Sequence, residues 1–208
     1  MEPGGGELSM DRWMSGKNTQ RFSRCFPLGL LSSFLFIMAF TLSLAADNLL
    51  IDDFESQPDA RWRFLADTVM GGVSTGQVSF LSDNGTQYAQ MTGRVSVANN
   101  GGFIQMRTDL PAAPPEGITG VRLIVRGNQQ QYFVHLRTRG TVLPWQYYQA
   151  GFPVTRDWTE VRLPLEAFQA SGRMLRSVPK AQSLKSVAVV AFGRDHDASI
   201  DVREIGFY

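Results

Sequence analysis

Asp67-Thr68-Val69-Met70-Gly71-Gly72-Val73-Ser74 and Asn99-Asn100-Gly101-Gly102-Phe103 are the two stretches on which the fold reading turns. Each sets a glycine pair beside polar groups and next to a strand-like run. Paired glycines permit positive φ and close backbone approach. Neither is a generic turn: each reads as a shaped connection between strands.

The rest of the chain supports that setting. Leu49 to Ile51, Gln77 to Leu81, Gln87 to Met91, Phe103 to Arg107, Val121 to Arg126, Tyr132 to Thr138, Tyr147 to Val154, Thr159 to Leu165, Ser186 to Phe192 and Ser199 to Phe207 are short, rich in β-branched and aromatic residues, and separated by Gly, Pro, Asn or Asp. No stretch keeps an amphipathic helical pattern over three turns, and Leu165 to Ala170 reads as one turn of helix. Many short strands at this spacing imply an all-β sandwich or barrel. Val187 to Phe192 lacks polar alternation, which predicts a mid-sheet strand covered on both faces.

One strand pair can be read residue by residue. With Gly127 to Gln130 as a hairpin, Val121, Leu123 and Val125 oppose Leu136, Val134 and Tyr132 on a core face. Arg122, Arg126, His135 and Arg137 then share the opposite face. The expectation is one basic and aromatic surface.

The N-terminus reads as a targeting segment. Phe26 to Ala46 is an apolar run preceded by Lys17, Arg21 and Arg24 and ended by small residues at Ser43, Ala45 and Ala46. Cleavage after Ala45 or Ala46 would export a single domain of residues 47–208. An uncleaved anchor is the alternative, since the run could span a bilayer. Met10 or Met14 offers a more compact start to this 1–46 segment. The one cysteine, Cys25, lies within it, so the domain has no thiol for disulfides, metal or catalysis. Of 20 basic and 19 acidic residues, 4 and 3 precede Asp47, leaving 16 of each. Such a balance excludes a nucleic-acid binder, which needs a dominant positive field. Fourteen of those 16 cations are arginine. Arginine forks carboxylates and stacks on rings better than lysine.

The two glycine-pair motifs resemble the complex I intermediate-associated protein family of the thirty-kilodalton type. Ile51-Asp52-Asp53-Phe54 and Trp62 stand where that family has residues ahead of its Val-Met-Gly-Gly-Val-Ser element. Val125-Arg126-Gly127 with Tyr132, and Trp158, Val161, Leu163-Pro164 and Phe168, extend the resemblance from Asp47 to Tyr208. Asn128-Gln129-Gln130 departs from the family's Asp-Gly and basic residue. The resemblance implies a galactose-binding-like jelly-roll β-sandwich. It also implies a chaperone-like role on a protein partner such as a membrane-complex subunit, whereas export would separate this chain from mitochondrial members.

The residues offer little for catalysis. The domain has only His135 and His196, no Gly-x-Ser-x-Gly elbow and no paired-histidine metal spacing. Asp52, Asp53 and Asp67 could form the acidic pair of a glycosidase; the plainer reading has Asp67 capping the glycine loop. Asp195-His196-Asp197 reads as a metal cluster or, more simply, a polar hairpin turn, and no calcium-loop spacing occurs. No metal or cofactor is expected. The binding candidates are Asp67, Met70, Gly71, Gly72 and Ser74 on one loop and Asn99, Asn100, Gly101 and Gly102 on the other. Arg122, Arg126, His135 and Arg137 on the basic face and the cluster Trp145, Tyr147 and Tyr148 complete the set. The expected function is a non-catalytic binding or assembly module for a protein partner. A carbohydrate-binding module, or an enzyme acting on a saccharide or phosphorylated ligand, are the alternatives.

Overall fold

A computed structural model of the protein describes residues 49–208. The apolar run, Cys25 and the candidate start sites lie outside the described residues. Among the described residues no helix is long and apolar enough to cross a membrane.

Twelve strands follow in chain order: β1 Leu50–Asp52, β2 Arg63–Ala66, β3 Thr75–Asp83, β4 Thr86–Val95, β5 Phe103–Asp109, β6 Gly120–Gly127, β7 Gln131–Thr138, β8 Tyr148–Pro153, β9 Thr159–Pro164, β10 Gln169–Ala170, β11 Leu184–Phe192 and β12 His196–Phe207. One short helix, α1 (Pro58–Arg61), precedes β2. The first sheet runs β3-β4-β12-β6-β9, with β1 also alongside β12. The second runs β10-β8-β7-β11-β5-β2. Every pairing is antiparallel. This is a sandwich, one of the two architectures that the strand pattern implies, and the jelly roll that the family resemblance implies.

All ten expected strands form. The pattern missed β2 and β10, which are too short to show alternation, and Leu165–Ala167 makes the expected turn of helix before β10. Asn84 (φ 51) and Gly85 (φ 81) close the β3–β4 hairpin, as left-handed residues do in a two-residue turn.

The β6–β7 hairpin does not form. β6 pairs with β12 and β9, whereas β7 pairs with β11 and β8 in the other sheet. The inward set is as expected: Val121, Leu123 and Val125, and Tyr132, Val134 and Leu136, are all fully buried. They meet across the core rather than side by side in one sheet. Alternation fixes which face of a strand is apolar; it does not say which sheet the strand joins. Arg122 and Arg126 consequently lie on the outside of the first sheet, and His135 and Arg137 on the outside of the second. The single basic face is corrected to two opposite faces.

The crossing between the sheets has its own fastening. The buried Tyr132 hydroxyl accepts from the Ser199 N–H (2.8 Å) and donates to Asn128 Oδ1 (2.7 Å). Its burial raises the phenol's pKa to about 12. Strand β12 changes parity midway, with a register shift against β6 between Val202 and Glu204. That bulge lets Ile200, Val202, Ile205 and Phe207 all face inward although they are not evenly spaced. Val187 to Ala191 on β11 are buried on both faces, as the unbroken apolar run predicts, whereas Phe192 at the end of that run is only half-buried.

Ile200 sits in the centre of the first sheet with no exposure. Ile200→Ala is expected to lower the unfolding free energy by about 2–5 kcal/mol. Arg122→Ala, which removes only surface ion pairs, is expected to change it by less than about 1 kcal/mol. Urea denaturation of both variants measures the contrast.

Candidate functional site

Asp67 is the centre of one end of the sandwich. It has no exposure, yet it is a carboxylate. It begins a single 3-10 turn, Asp67–Met70, directly after β2. Its Oδ1 accepts from the Ser74 N–H (2.9 Å). Its Oδ2 accepts from Ser74 Oγ (2.5 Å), the Gly102 N–H (2.5 Å) and the Phe103 N–H (3.2 Å). Burial pushes the pKa up, but the combined hydrogen bonds from Ser74, Gly102 and Phe103 outweigh it and hold the carboxyl below its ordinary value. One side chain thus joins the two glycine-pair segments. The expected cap is correct in kind but reaches much further, across 35 residues to Gly102.

The four glycines have two different duties. Gly71 (φ 92) and Gly102 (φ 128) occupy the left-handed region. Gly72 and Gly101 do not; a Cβ at either would fall inside the Asp67 carboxyl group. The positive φ of the second loop falls mainly on Asn99 (φ 56) and Asn100 (φ 58), residues that tolerate it. A third loop joins them. Gly193 N–H donates to Gly102 O (2.8 Å), and Asp195 Oδ1 accepts from the Val97 N–H (2.7 Å). Asp195 therefore has a fastening role. The expected turn over Asp195-His196-Asp197 is corrected: the bend falls at Gly193 and Arg194, and His196 and Asp197 already belong to β12. Among the described residues no cluster suited to a metal ion occurs.

These pinned loops present apolar side chains to solvent. Val69 is 71% exposed, Met70 61% and Val73 48%. Val97 on the neighbouring loop is also exposed.

The other candidates separate. Outside the first sheet, Arg122 pairs with Glu160 (3.3 Å) and with Glu204, and Arg126 with Asp201 (2.8 Å). Arg126 also lies 4.5 Å from the Trp158 ring and 5.3 Å from Tyr88, and Arg203 lies 5.2 Å from Trp158. A cleft of about 470 Å³ on this side is lined by Arg122, Arg162, Glu204 and Tyr208 among others. Its arginines are engaged with Glu160, Glu204 and the Tyr208 ring.

Outside the second sheet, His135 stacks on Tyr147 at 4.1 Å and 9°. Its Nε2 donates to Gln149 Oε1 at 2.9 Å, in the tautomer that carries the proton there. Burial lowers its pKa to about 4, against the smaller opposing effect of Gln149. Arg137 donates to the carbonyls of Thr141 (3.3 Å) and Leu143 (2.9 Å). Tyr148 points into the core, Tyr147 lies half-buried outside and Trp145 is exposed on the preceding loop. The three-residue aromatic cluster is thus divided by strand alternation. Arg107, on the same face as Arg137, is not among the candidates the sequence offers; its only signal there is its outward parity beside the buried Met106.

The acidic pair also fails to assemble. Asp52 is buried and accepts from the Phe54 N–H, Trp62 Nε1 and the Arg61 guanidinium, all between 2.8 and 2.9 Å. Asp67 is fully occupied by its own donors. Neither carboxyl group is free to move a proton.

Two sheets, a filled interior and shaped loops at one end define a jelly-roll β-sandwich domain. The chain belongs to the family described as Complex I intermediate-associated protein 30 (CIA30), matched over residues 52–199. No curated protein matches it by sequence. Among solved structures it is similar to the family 11 carbohydrate-binding module from Clostridium thermocellum, in complex with a β-1,3-1,4-mixed-linked tetrasaccharide. The TM-score is 0.61 at 11% identity, covering 76% of this chain and 94% of that one. The family 11 module of the cellulosomal cellulase Lic26A-Cel5E of the same organism scores 0.61 at 11% identity, covering 76% and 92%. The agarase AgWH50C matches at 0.50 and 8% identity over 76% of this chain and 26% of its own. At these identities the likeness is one of fold.

Asp67→Asn keeps the shape but turns an amide donor toward backbone donors. It is expected to cost roughly 3 kcal/mol or more. Gly72→Ala, which drives a Cβ into that carboxyl, should approach the same loss. Gly71→Ala, where an added Cβ meets nothing, should cost only the left-handed backbone penalty of about 1–2 kcal/mol. Thermal and urea unfolding rank the three.

His135 gives a pH signature. Unfolded, the imidazole titrates near 6.5; folded, near 4. Between those values only the unfolded chain takes up the proton, so stability falls as pH drops from about 6.5 to about 4 and then levels. The loss approaches roughly 3 kcal/mol. Urea midpoints across that window should show the slope in the native protein and a shallower one in His135→Gln.

Proposed function

We propose that this domain is a non-catalytic binding and assembly module that holds a protein partner through its Asp67-centred loop end. The observation that carries the reading is the exposure of Val69, Met70 and Val73 on a loop whose backbone a buried carboxylate fixes. Apolar side chains held in water by a rigid loop have no use within the chain. They suit a surface that another protein covers. A loop already ordered loses little entropy on binding. Methionine adapts its shape to an irregular partner surface. The family's name supports a partner of the membrane-complex-subunit type. The basic, apolar N-terminal segment supports export, with that partner met outside the cytoplasm or at the membrane.

The test is affinity capture from the native envelope fraction with mass spectrometry, comparing the protein with a Val69→Ser, Met70→Ser double variant. Both side chains are exposed, so the melting temperature should not change. The native protein should recover a membrane-complex subunit that the variant loses. Equal recovery by the variant would reject the loop end as the binding surface.

A further inference from the structure

The two outer faces of the sandwich differ in how their arginines are neutralised. On the first sheet Arg122, Arg126 and Arg162 each have a carboxylate partner and Arg203 lies over Trp158, while the exposed Arg94 at the end of β4 has no carboxylate partner among the described residues. On the second sheet Arg107 and Arg137 have none among the described residues. The one acid in their row, Asp109, is taken by Arg63 at 2.6 Å. Arg107 and Arg137 flank β11 diagonally: Arg107 is in register with Ala188 and Arg137 with Ser186. They are close enough that the positive charge of Arg107 adds to burial in lowering the pKa of Arg137. Arg107 also keeps a buried Nε without a hydrogen-bond acceptor among the described residues. A buried donor left unpaired and two like charges left facing each other both destabilise the free protein. Among the described residues only Asp109, already paired with Arg63, offsets the charge on Arg137, and nothing accepts from Arg107 Nε.

The surroundings narrow what would. Gln105 lies two residues before Arg107 on β5, and Gln149 lies beside His135 on β8. Phe133 and Tyr147 are half-buried on the same face, Tyr147 with one face spent on His135. Aromatic rings offer broad apolar area, amides pair with hydroxyls, and guanidinium forks a carboxylate. A peptide lying on this face would find no backbone partners, because the strands' own N–H and C=O groups are used in the ladders. A sugar brings C–H faces and hydroxyls that side chains alone can satisfy.

We propose that the outer face of the second sheet binds a saccharide bearing carboxylate groups, a uronic-acid glycan, with its carboxylates held between Arg107 and Arg137. This face is separate from the Val69 to Val73 loop, so either assignment can fail without the other.

The test is isothermal titration calorimetry of the purified protein with an oligogalacturonate, its carboxyl-reduced counterpart and an oligoglutamate peptide. The oligogalacturonate should bind, more weakly as salt is raised. The reduced sugar should bind at least about tenfold more weakly, as loss of a charge-assisted hydrogen bond requires. Arg107→Met should weaken oligogalacturonate binding by a similar factor at an unchanged or higher melting temperature, because it removes the unpaired donor. No binding by the native protein, equal binding of the reduced sugar, or undiminished binding by a folded Arg107→Met would each overturn the proposal. Oligoglutamate binding as tight as oligogalacturonate would overturn the saccharide assignment. The sugar comparison uses the unaltered protein, so it decides the matter even if Arg107→Met fails to fold.

Discussion

The buried carboxylate of Asp67 is the constraint on which one end of the molecule depends. It follows β2 of the second sheet, binds Ser74 just ahead of β3 of the first, and binds Gly102 and Phe103 where β5 of the second begins. Removing a charge from water is costly unless donors replace the water. Here Ser74 supplies two and the Gly102 segment two more. The glycines at 72 and 101 exist to let those donors come close, and Gly71 and Gly102 exist to turn the chain afterwards. Asp52 has a parallel role at the start of the domain, where it gathers the Phe54 N–H, Arg61 and Trp62. Asp52 and Asp67 thus act as acceptors that direct the chain between sheets, whereas Asp109, Glu160, Asp201 and Glu204 pair with arginines on the outer faces.

The sequence made much of this legible, but only to a certain depth. Short β-branched and aromatic runs between turn residues marked ten strands, and period-two alternation identified the inward residues of β6 and β7 correctly. It could not distinguish a hairpin within one sheet from a crossing between two, because both bury the same side chains. The difference lies in Asn128, Gln129 and Tyr132, which shape the crossing. Tyr132 spends its hydroxyl on Ser199, far away in sequence. Likewise the glycine pairs announced special backbone, yet their partner was readable only as a local cap. A carboxylate that reaches Gly102 leaves no periodic trace. Strands β2 and β10 were invisible because four and two residues carry too little pattern.

The arginine-rich composition also acquires a physical meaning. Arg126 is both a carboxylate partner and a plane between Tyr88 and Trp158; Arg162 lies over Tyr208 while pairing with Glu160. A lysine could meet the acid but not cover the ring. The outer face of the first sheet is thus clad by flat cations locked between acids and aromatics. Such cladding leaves little unmet chemistry, which is why Arg122 and Arg126 read better as structure than as a site.

The second sheet's outer face is the exception, and the reason lies in β11. Its outward residues Ser186, Ala188 and Val190 are small and carry no charge, so they cannot neutralise the arginines that lean over them from β5 and β7. The same smallness makes β11 fit the middle of a sheet covered on both sides. A central strand chosen for packing therefore offers Arg107 and Arg137 no carboxylate of its own, while the interior is filled by side chains from both sheets. The loop end supplies fixed apolar groups, and the second face supplies cations that the fold itself does not satisfy.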